Sequence, residues 1–502
     1  MANLYTNCIC KVGLPGSSNK TPSGYIDLTI GVFFDGTLFD GTLNNKYNTA
    51  WTYAEEKCLK DGMTDSYQND YTNIAKLWKY YKSDNKNIFK VYIEGPGTKS
   101  PLLLSKNELS SKEYKKRLNA LDKNENEPWV SSQKGDYTQG KAFGKSETGI
   151  NAKIERACWL VTRIICKACK DNKGKLRKLT LDVYGFSRGA ASARSFVSGI
   201  YSLTKDRIEN SEGYQVSLSP WIFMYPYTQE ANITIRFLGL FDTVSSYSRK
   251  ISINPNFNND VHELTLNIPS YIKRTVQLAA ADEYRKNFAL TNIRSASNKG
   301  REIFLPGAHS DIGGGYPKKS YEDMYESVFL WGKEPFKGNL ECRGYMTYDE
   351  LVSEGWLPSG WNKPIKEYDI WGFGWYKYNK VREVRNDYAR IPCYIMYKLS
   401  TPIPYKTTLV EGECRIYEKD KDLKKLEEMI ISKIMGNQPL YEWITDRNGL
   451  RKFSIKGSDE KKLIKSVRYE FFHLSAYNSG FFTGYAHNAA DNNIRQVIND
   501  TM

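Results

Sequence analysis

The sequence predicts an α/β fold, in which a mostly parallel sheet is flanked by helices. Three observations predict it. Short apolar runs of strand length alternate with a segment of helical period. Those runs are almost continuously apolar, as strands are when both faces of their sheet are covered. A serine between two glycines also stands where one such strand gives way to a helix, within βαβ-like alternation.

Residues 1 to 23 are polar and rich in Gly, Ser and Pro, and read as a flexible leader. In YIDLTIGVFFDGT, Ile26, Leu28, Ile30 and Val32 alternate before a fully apolar end. That pattern predicts a buried strand stopped by Asp35-Gly36. IFKVYIEG (88–95) is a second strand, closed by Pro96-Gly97, and 99–148 is polar with lysine-rich helical patches. From Ile150 the period changes: Ile154, Ala157, Val161, Ile164 and Ala168 follow at three- and four-residue steps, an apolar helix face ending near Asn172-Lys173-Gly174. LTLDVYGFS then reads as a strand ending at Ser187, and RGAASARSFVSGIYSL as a helix. ITIRFLGLFD (233–242) and EIFLPGAH (302–309) are two more strands, and YIKRTVQLAAADEYRKNF between them reads as helical. These elements make a core over 24–316. Residues 317–465 are richer in Tyr, Trp and Lys and lose the alternation, which marks an insertion or second lobe. The segment 466–502 is expected to end in a helix and return to the core.

Composition narrows the class. With 40% hydrophobic and 26% charged residues among 502, the chain has the make-up of a soluble globular protein. It has no apolar run of spanning length and no signal-peptide pattern at its start, so the expectation is folding in the cytoplasm. Nine scattered cysteines suit reduced thiols. Cys166 and Cys169 form a single CxxC with Cys158 nearby; without a second pair, buried helix cysteines are favoured over a metal site, and no metal or other cofactor is expected. The formal charge of +15 raises affinity for polyanions in general. The sharpest basic run, from Lys167 to Lys178, falls where a helix ends, a common place for cations. No nucleic-acid-binding motif accompanies it, so nucleic acid is an unlikely partner.

The chemistry is carried by Gly185-Phe-Ser187-Arg-Gly189. A serine hydroxyl is a poor nucleophile unless a base takes its proton and the chain presents it openly. A G-x-S-x-G turn between strand and helix does the presenting, and here both neighbours are in place. Four histidines are available as base: His262, His309, His473 and His487. His309 follows an apolar strand and opens the glycine-rich HSDIGGGY, so it is preferred. His262 lies in a polar segment, and His473 and His487 in an aromatic tail. The residue that orients the imidazole is assigned to Asp242, at the end of FLGLFD, over Asp311, which stands two residues beyond His309 and more plausibly shapes the turn there. The order Ser187, Asp242, His309 is that of α/β-hydrolases. The amide of Arg188, next after the nucleophile, is one expected oxyanion donor. Gly36, in the loop after the first strand, is the other, although Asp35-Gly36 also reads as an ordinary tight turn.

Taken together, FFDGT, GFSRGAASAR, FLGLFDTV, AADEYRKNF and FLPGAHSDIGGGY resemble the type VI secretion phospholipase effectors of the first lipase-effector family. The resemblance covers about 24–316 and the HLSAY segment near the end; it assigns no match to 317–465, whose role stays open. The first motif reads DGTLFDGTLNN where the family has DGTxNN. The family's catalytic Ser, Asp and His fall on Ser187, Asp242 and His309. The resemblance implies an antibacterial toxin, carried by an injection apparatus to the periplasm of a rival cell, that hydrolyses membrane phospholipid acyl esters. It also implies two partners, a spike protein for delivery and a cognate immunity protein. Trp371, Phe373, Trp375, Tyr376 and Tyr378, among basic residues, have the composition of a membrane-interface surface; a hairpin with one aromatic face in the core is the favoured alternative. Two other functions compete: a soluble esterase or acyltransferase on a non-lipid substrate, and an inactive hydrolase-fold binding protein.

Overall fold

In a computed structural model of the chain, the apolar runs of the first half become the six strands of one sheet. The structure describes residues 21–36, 70–96, 149–200, 228, 231–245, 260–323, 341–342, 346–361, 365–368, 374–377, 381–445, 451–476, 490 and 494–501. Most of the expected leader, the polar stretch 99–148, His487 and Trp371, Phe373 and Tyr378 of the aromatic run lie outside them.

The first half runs β1 (Tyr25–Phe34), α1 (Asn73–Tyr80), β2 (Ile88–Ile93), α2 (Ile150–Asp171), β3 (Lys175–Phe186), α3 (Arg188–Gly199), β4 (Asn232–Phe241), β5 (Thr275–Ala280), β6 (Leu290–Thr291), β7 (Gly300–Leu305) and α4 (His309–Gly313). The sheet order is β2-β1-β3-β4-β5-β7, and every neighbouring pair is parallel. This is the expected α/β architecture. One prediction within it is wrong: TVQLAA, read as part of a helix, is β5. Its six residues are all buried. A short apolar run fits either a buried strand or a helix face, and here the open place between β4 and β7 decided it.

Alternation along the strands sends side chains to two cores. Ile30 and Val32 of β1, Leu181 and Val183 of β3, and Leu238 and Leu240 of β4 meet α2 and α3 on one face. Phe33, Tyr184, Phe186, Phe237 and Phe241 point to the other face. The second half of the chain covers that face. It comprises β8 (Lys319–Asp323), β9 (Ile365–Tyr368), β10 (Gly374–Lys377), β11 (Val381–Arg385), α5 (Arg390–Leu399), α6 (Thr407–Glu413), α7 (Lys421–Met435), β12 (Tyr441–Thr445), β13 (Arg451–Ile455) and α8 (Ser458–Phe471). Trp356, Tyr388, Ile391, Ile395 and Phe472 pack into the same core as the sheet aromatics. The part of the aromatic run inside the described residues forms one strand of an antiparallel pair, β9 with β10. Among the described residues no helix is long and apolar enough to cross a membrane.

The chain's end also differs from expectation. Where a helix was predicted, Val497–Ile498 forms β14, which pairs in parallel with β6. Leu290 N donates to Gln496 O and Asn292 N to Ile498 O. Ala490, Ile494, Val497 and Ile498 do fall at three- and four-residue steps, but so short a run is marginal as a helix, and its backbone is satisfied by an existing strand instead. Asp500 then clamps the tail. Its carboxylate accepts from Arg194 Nη2 at 2.7 Å and from Ser295 N at 2.9 Å. Arg194, on α3 and fully buried, also donates to the carbonyls of Leu266, Thr291 and Asn292. Asp500→Ala would leave that guanidinium without its counter-charge, a loss of about 3–5 kcal/mol. A urea melt is expected to show its midpoint fall accordingly.

Candidate active site

The register of the sheet brings the expected residues to one edge. Phe34 pairs with Gly185, and Phe186 with Phe241, so Gly36, Ser187 and Asp242 leave neighbouring strands at about the same level. The strand order reverses at β1 and β3, and open parallel sheets bind ligands beyond the carboxyl ends of such strands. His309 arrives from β7 after the turn through Gly307 and begins α4.

Ser187 sits at φ 58 and ψ −128, a conformation seldom held by a residue with a Cβ. Strain of this kind collects at working sites, where the surroundings over-determine it. The turn is tied by Ser187 N donating to Phe241 O at 3.0 Å and Val244 N donating to Ser187 O at 3.4 Å. The flanking glycines are required by contact. A Cβ on Gly185 would lie 2.5 Å from Ala190 Cα, and one on Gly189 2.1 Å from Asp35 O. Gly189→Ala therefore has to push α3 away from β1, at about 1–3 kcal/mol for overpacking. Its thermal melt should drop, and any acyl-transfer activity should fall further than stability alone explains, because Ser187 moves with the helix.

Asp242 also has positive φ, at 46, and is fully buried. Its Oδ2 lies 2.5 Å from His309 Nδ1. Ala280 N donates to Oδ1 at 2.8 Å. Burial opposes the aspartate's charge, but Arg495 and the bond to His309 outweigh it and hold the carboxyl well below its ordinary range. His309 is 4% exposed and is packed by Phe186, 4.7 Å between ring centroids, and by Phe288 at 5.0 Å. Burial lowers its basicity, Asp242 partly restores it, and Arg285 opposes the cation again. The net result is an imidazole less basic than a free one, with its Nδ1 turned to Asp242. Among the described residues the Ser187 hydroxyl makes no hydrogen bond, so the contact that would pass its proton to His309 Nε2 is not formed. Such contacts commonly tighten only with substrate present.

The other candidates fall elsewhere. Asp311 Oδ2 accepts from Ala308 N at 2.8 Å and from His473 N at 2.9 Å, while Oδ1 meets His473 Nδ1 at 2.7 Å. Both oxygens are thus committed to the turn before α4 and to the chain after α8. His473 stacks on Tyr316, 3.6 Å between centroids. This second His–Asp pair braces the His309 turn from behind. His262 is exposed. Asp35, buried at the end of β1, accepts from Thr72 Oγ1 at 2.8 Å and from the Tyr92 hydroxyl.

Gly36 requires a correction. Its amide, expected to face an oxyanion, donates to Asp35 Oδ1 at 2.7 Å. A buried carboxylate must be satisfied, and the next residue's N–H is the nearest donor. Arg188 opens α3, so its amide lies at the positive end of the helix dipole.

Two features escaped the sequence reading. Glu283 accepts from His309 N at 3.2 Å and pairs with Arg285 at 2.8 Å. Arg495 grips Asp242 with both prongs, Nη1 to Oδ1 at 2.7 Å and Nη2 to Oδ2 at 2.8 Å. Glu283 lies in AADEYRKNF, so it had a motif to announce it. Arg495 had none. Cys158, Cys166 and Cys169 are buried on α2, and no group of three or more potential metal ligands occurs among the described residues.

Residues 223–332 match the family model for the catalytic domain of Tle1-like phospholipase effectors of the type VI secretion system. The matched stretch includes Asp242, Glu283 and His309 and begins after Ser187. A solved structure, the Tle1 effector bound to the VgrG spike from the type VI secretion system, aligns over 95% of this chain and 94% of that one. The TM-score is 0.53 at 20% identity, a likeness of fold. An uncharacterized protein from Pseudomonas aeruginosa aligns over 81% of this chain and 51% of that one, at 18% identity and a TM-score of 0.38. No curated protein sequence matches.

Proposed function

We propose, from the family match over 223–332, that this chain is a type VI secretion effector that hydrolyses acyl esters of membrane phospholipids as a phospholipase A. Ser187 Oγ attacks the ester carbonyl while His309 Nε2 takes its proton. The tetrahedral intermediate collapses as His309 returns that proton to the departing lysophospholipid oxygen. Water, deprotonated by the same imidazole, then frees the fatty acid from Ser187. Asp242 fixes the tautomer of His309 and stabilises its transient cation. The Arg188 amide, at the positive end of α3, holds the oxyanion; Gly36 joins it only by leaving Asp35.

One observation carries the reading: a buried Asp242–His309 hydrogen bond, with Asp242 and a serine at positive φ leaving the neighbouring strands β4 and β3 at the same level. The lowered basicity of the imidazole gives the sign of the pH dependence. Activity is retained while His309 is unprotonated and declines as pH falls through its lowered pKa. Delivery by a spike protein, action in the periplasm of a rival cell and neutralisation by an immunity protein belong to the same proposal. It is supported by the family match and by the fold shared with an effector solved on its spike.

The test is mass spectrometry of the products from vesicles of mixed-acyl phospholipid. Release of fatty acid and lysophospholipid by the wild type and not by Ser187→Ala is the expected result. Turnover of short soluble esters with vesicles untouched would favour the non-lipid esterase. Equal hydrolysis by Ser187→Ala would overturn the assignment.

A further inference from the structure

Arg495 lies 253 positions beyond Asp242 in sequence, yet its guanidinium is held against that carboxylate by four hydrogen bonds. Besides the two prongs on Asp242, Nε donates to Phe288 O at 2.7 Å and Nη1 to Ala280 O at 3.1 Å. Its side chain is 8% exposed. Each oxygen of Asp242 therefore has two donors: Oδ1 takes Arg495 and the Ala280 amide, and Oδ2 takes Arg495 and His309. The carboxylate can neither rotate nor give its full charge to the imidazole.

We propose that Arg495 is a positioning residue that locks Asp242 toward His309 and, by sharing its charge, lets His309 act as a base at lower pH. This inference rests on the proposed Ser187–His309–Asp242 chemistry. The charged groups packed around His309 are Asp242 just after β4, Glu283 and Arg285 from the segment after β5, and Arg495 from the tail. Asp311, on the same helix as His309, faces His473 instead. Two carboxylates and two guanidinium groups cancel, so protonating His309 adds a charge with no net partner inside a buried site. Without Arg495 the surroundings would be net negative and the imidazolium would be favoured. The strong depression of Asp242, for which Arg495 is the largest favourable cause, agrees with a carboxylate whose charge is already engaged. The attachment is also conditional on the tail: β14 and the Asp500 clamp follow Arg495 by a few residues, so the site is complete only when the end of the chain is docked.

Two variants and two measurements test this on the full chain. The His309 ring is titrated by NMR with carbon-labelled histidine, which needs no substrate and must separate only four histidines. The same variants give pH profiles of kcat/KM on phospholipid vesicles. Arg495→Met should move the His309 titration and the acid limb of the profile upward together, by on the order of one pH unit. Arg495→Lys keeps the charge but loses the two-pronged geometry. It should leave the acid limb near the wild-type position while kcat falls roughly tenfold, the scale of a small misorientation at a reacting group. An unmoved or lowered His309 titration in a folded Arg495→Met would overturn the proposal. If that variant does not fold, Arg495→Lys matching the wild type in kcat would do so. A wild type that hydrolyses no ester would defeat the functional reading, while the titration would still judge Arg495.

Discussion

Ser187→Ala is expected to lower kcat for phospholipid hydrolysis by on the order of a millionfold, His309→Ala by about as much, and the double variant by no more than either. The two side chains act as one unit. Without Oγ there is nothing for the imidazole to deprotonate, and without the imidazole the hydroxyl stays a weak nucleophile. What survives in each case is substrate binding and the oxyanion amide, which the substitutions leave in place. Ser187→Ala is the cleaner of the two. Its hydroxyl makes no hydrogen bond among the described residues, and the backbone ties of the turn, Ser187 N to Phe241 O and Val244 N to Ser187 O, are untouched. Its melting curve should therefore overlay the wild type. Single-turnover release of fatty acid measures the rate loss. A folded Ser187→Ala within a hundredfold of the wild type would remove Ser187 from the chemistry.

How far the sequence could be read depends on how local each signal is. The strand before Ser187, the glycines around it and the alanine-rich helix after it are adjacent in sequence and constrain one another. The turn was therefore legible, and the coordinates add the contacts that make Gly185 and Gly189 necessary. Asp242 and His309 were legible as residues that end apolar strands, because a parallel sheet gathers such ends along one edge. β5 was misread because TVQLAA is too short to show a period, and its place between β4 and β7 is a tertiary fact. The tail failed for the same reason: Val497–Ile498 becomes a strand only because β6 offers it a free edge. Gly36 was assigned from a motif, and nothing in the motif says that the carboxylate beside it takes the amide first. Arg495 is the extreme case. An arginine between isoleucine and glutamine near the end of a basic chain carries no local mark of its role, which consists wholly of long-range contacts.

Asp242→Asn should lower kcat by about four orders of magnitude and, unlike Ser187→Ala, destabilise the protein as well. Every group around the carboxylate is a donor: Arg495 Nη1 and Nη2, the Ala280 amide and His309 Nδ1. An asparagine has one acceptor oxygen for these four. If its oxygen faces Arg495 and Ala280, its amide nitrogen donates to His309 Nδ1 and puts the proton on Nε2, where it blocks transfer from Ser187. That tautomer error is the origin of the fall of about 10⁴ in the well-studied serine proteases. If the amide is turned the other way, its NH2 faces a buried guanidinium and a backbone N–H. Either way Arg495 loses its counter-charge, at about 3–5 kcal/mol. The two effects can be separated by adding Arg495→Met. In the double variant the unpaired guanidinium is gone, so urea melts should recover most of the lost stability, an interaction between contacting residues that single variants cannot reveal. The rate should stay low, because the imidazole still lacks its orienting carboxylate. A double variant that regained the rate would take Asp242 out of the reaction and leave it as a partner of Arg495 alone.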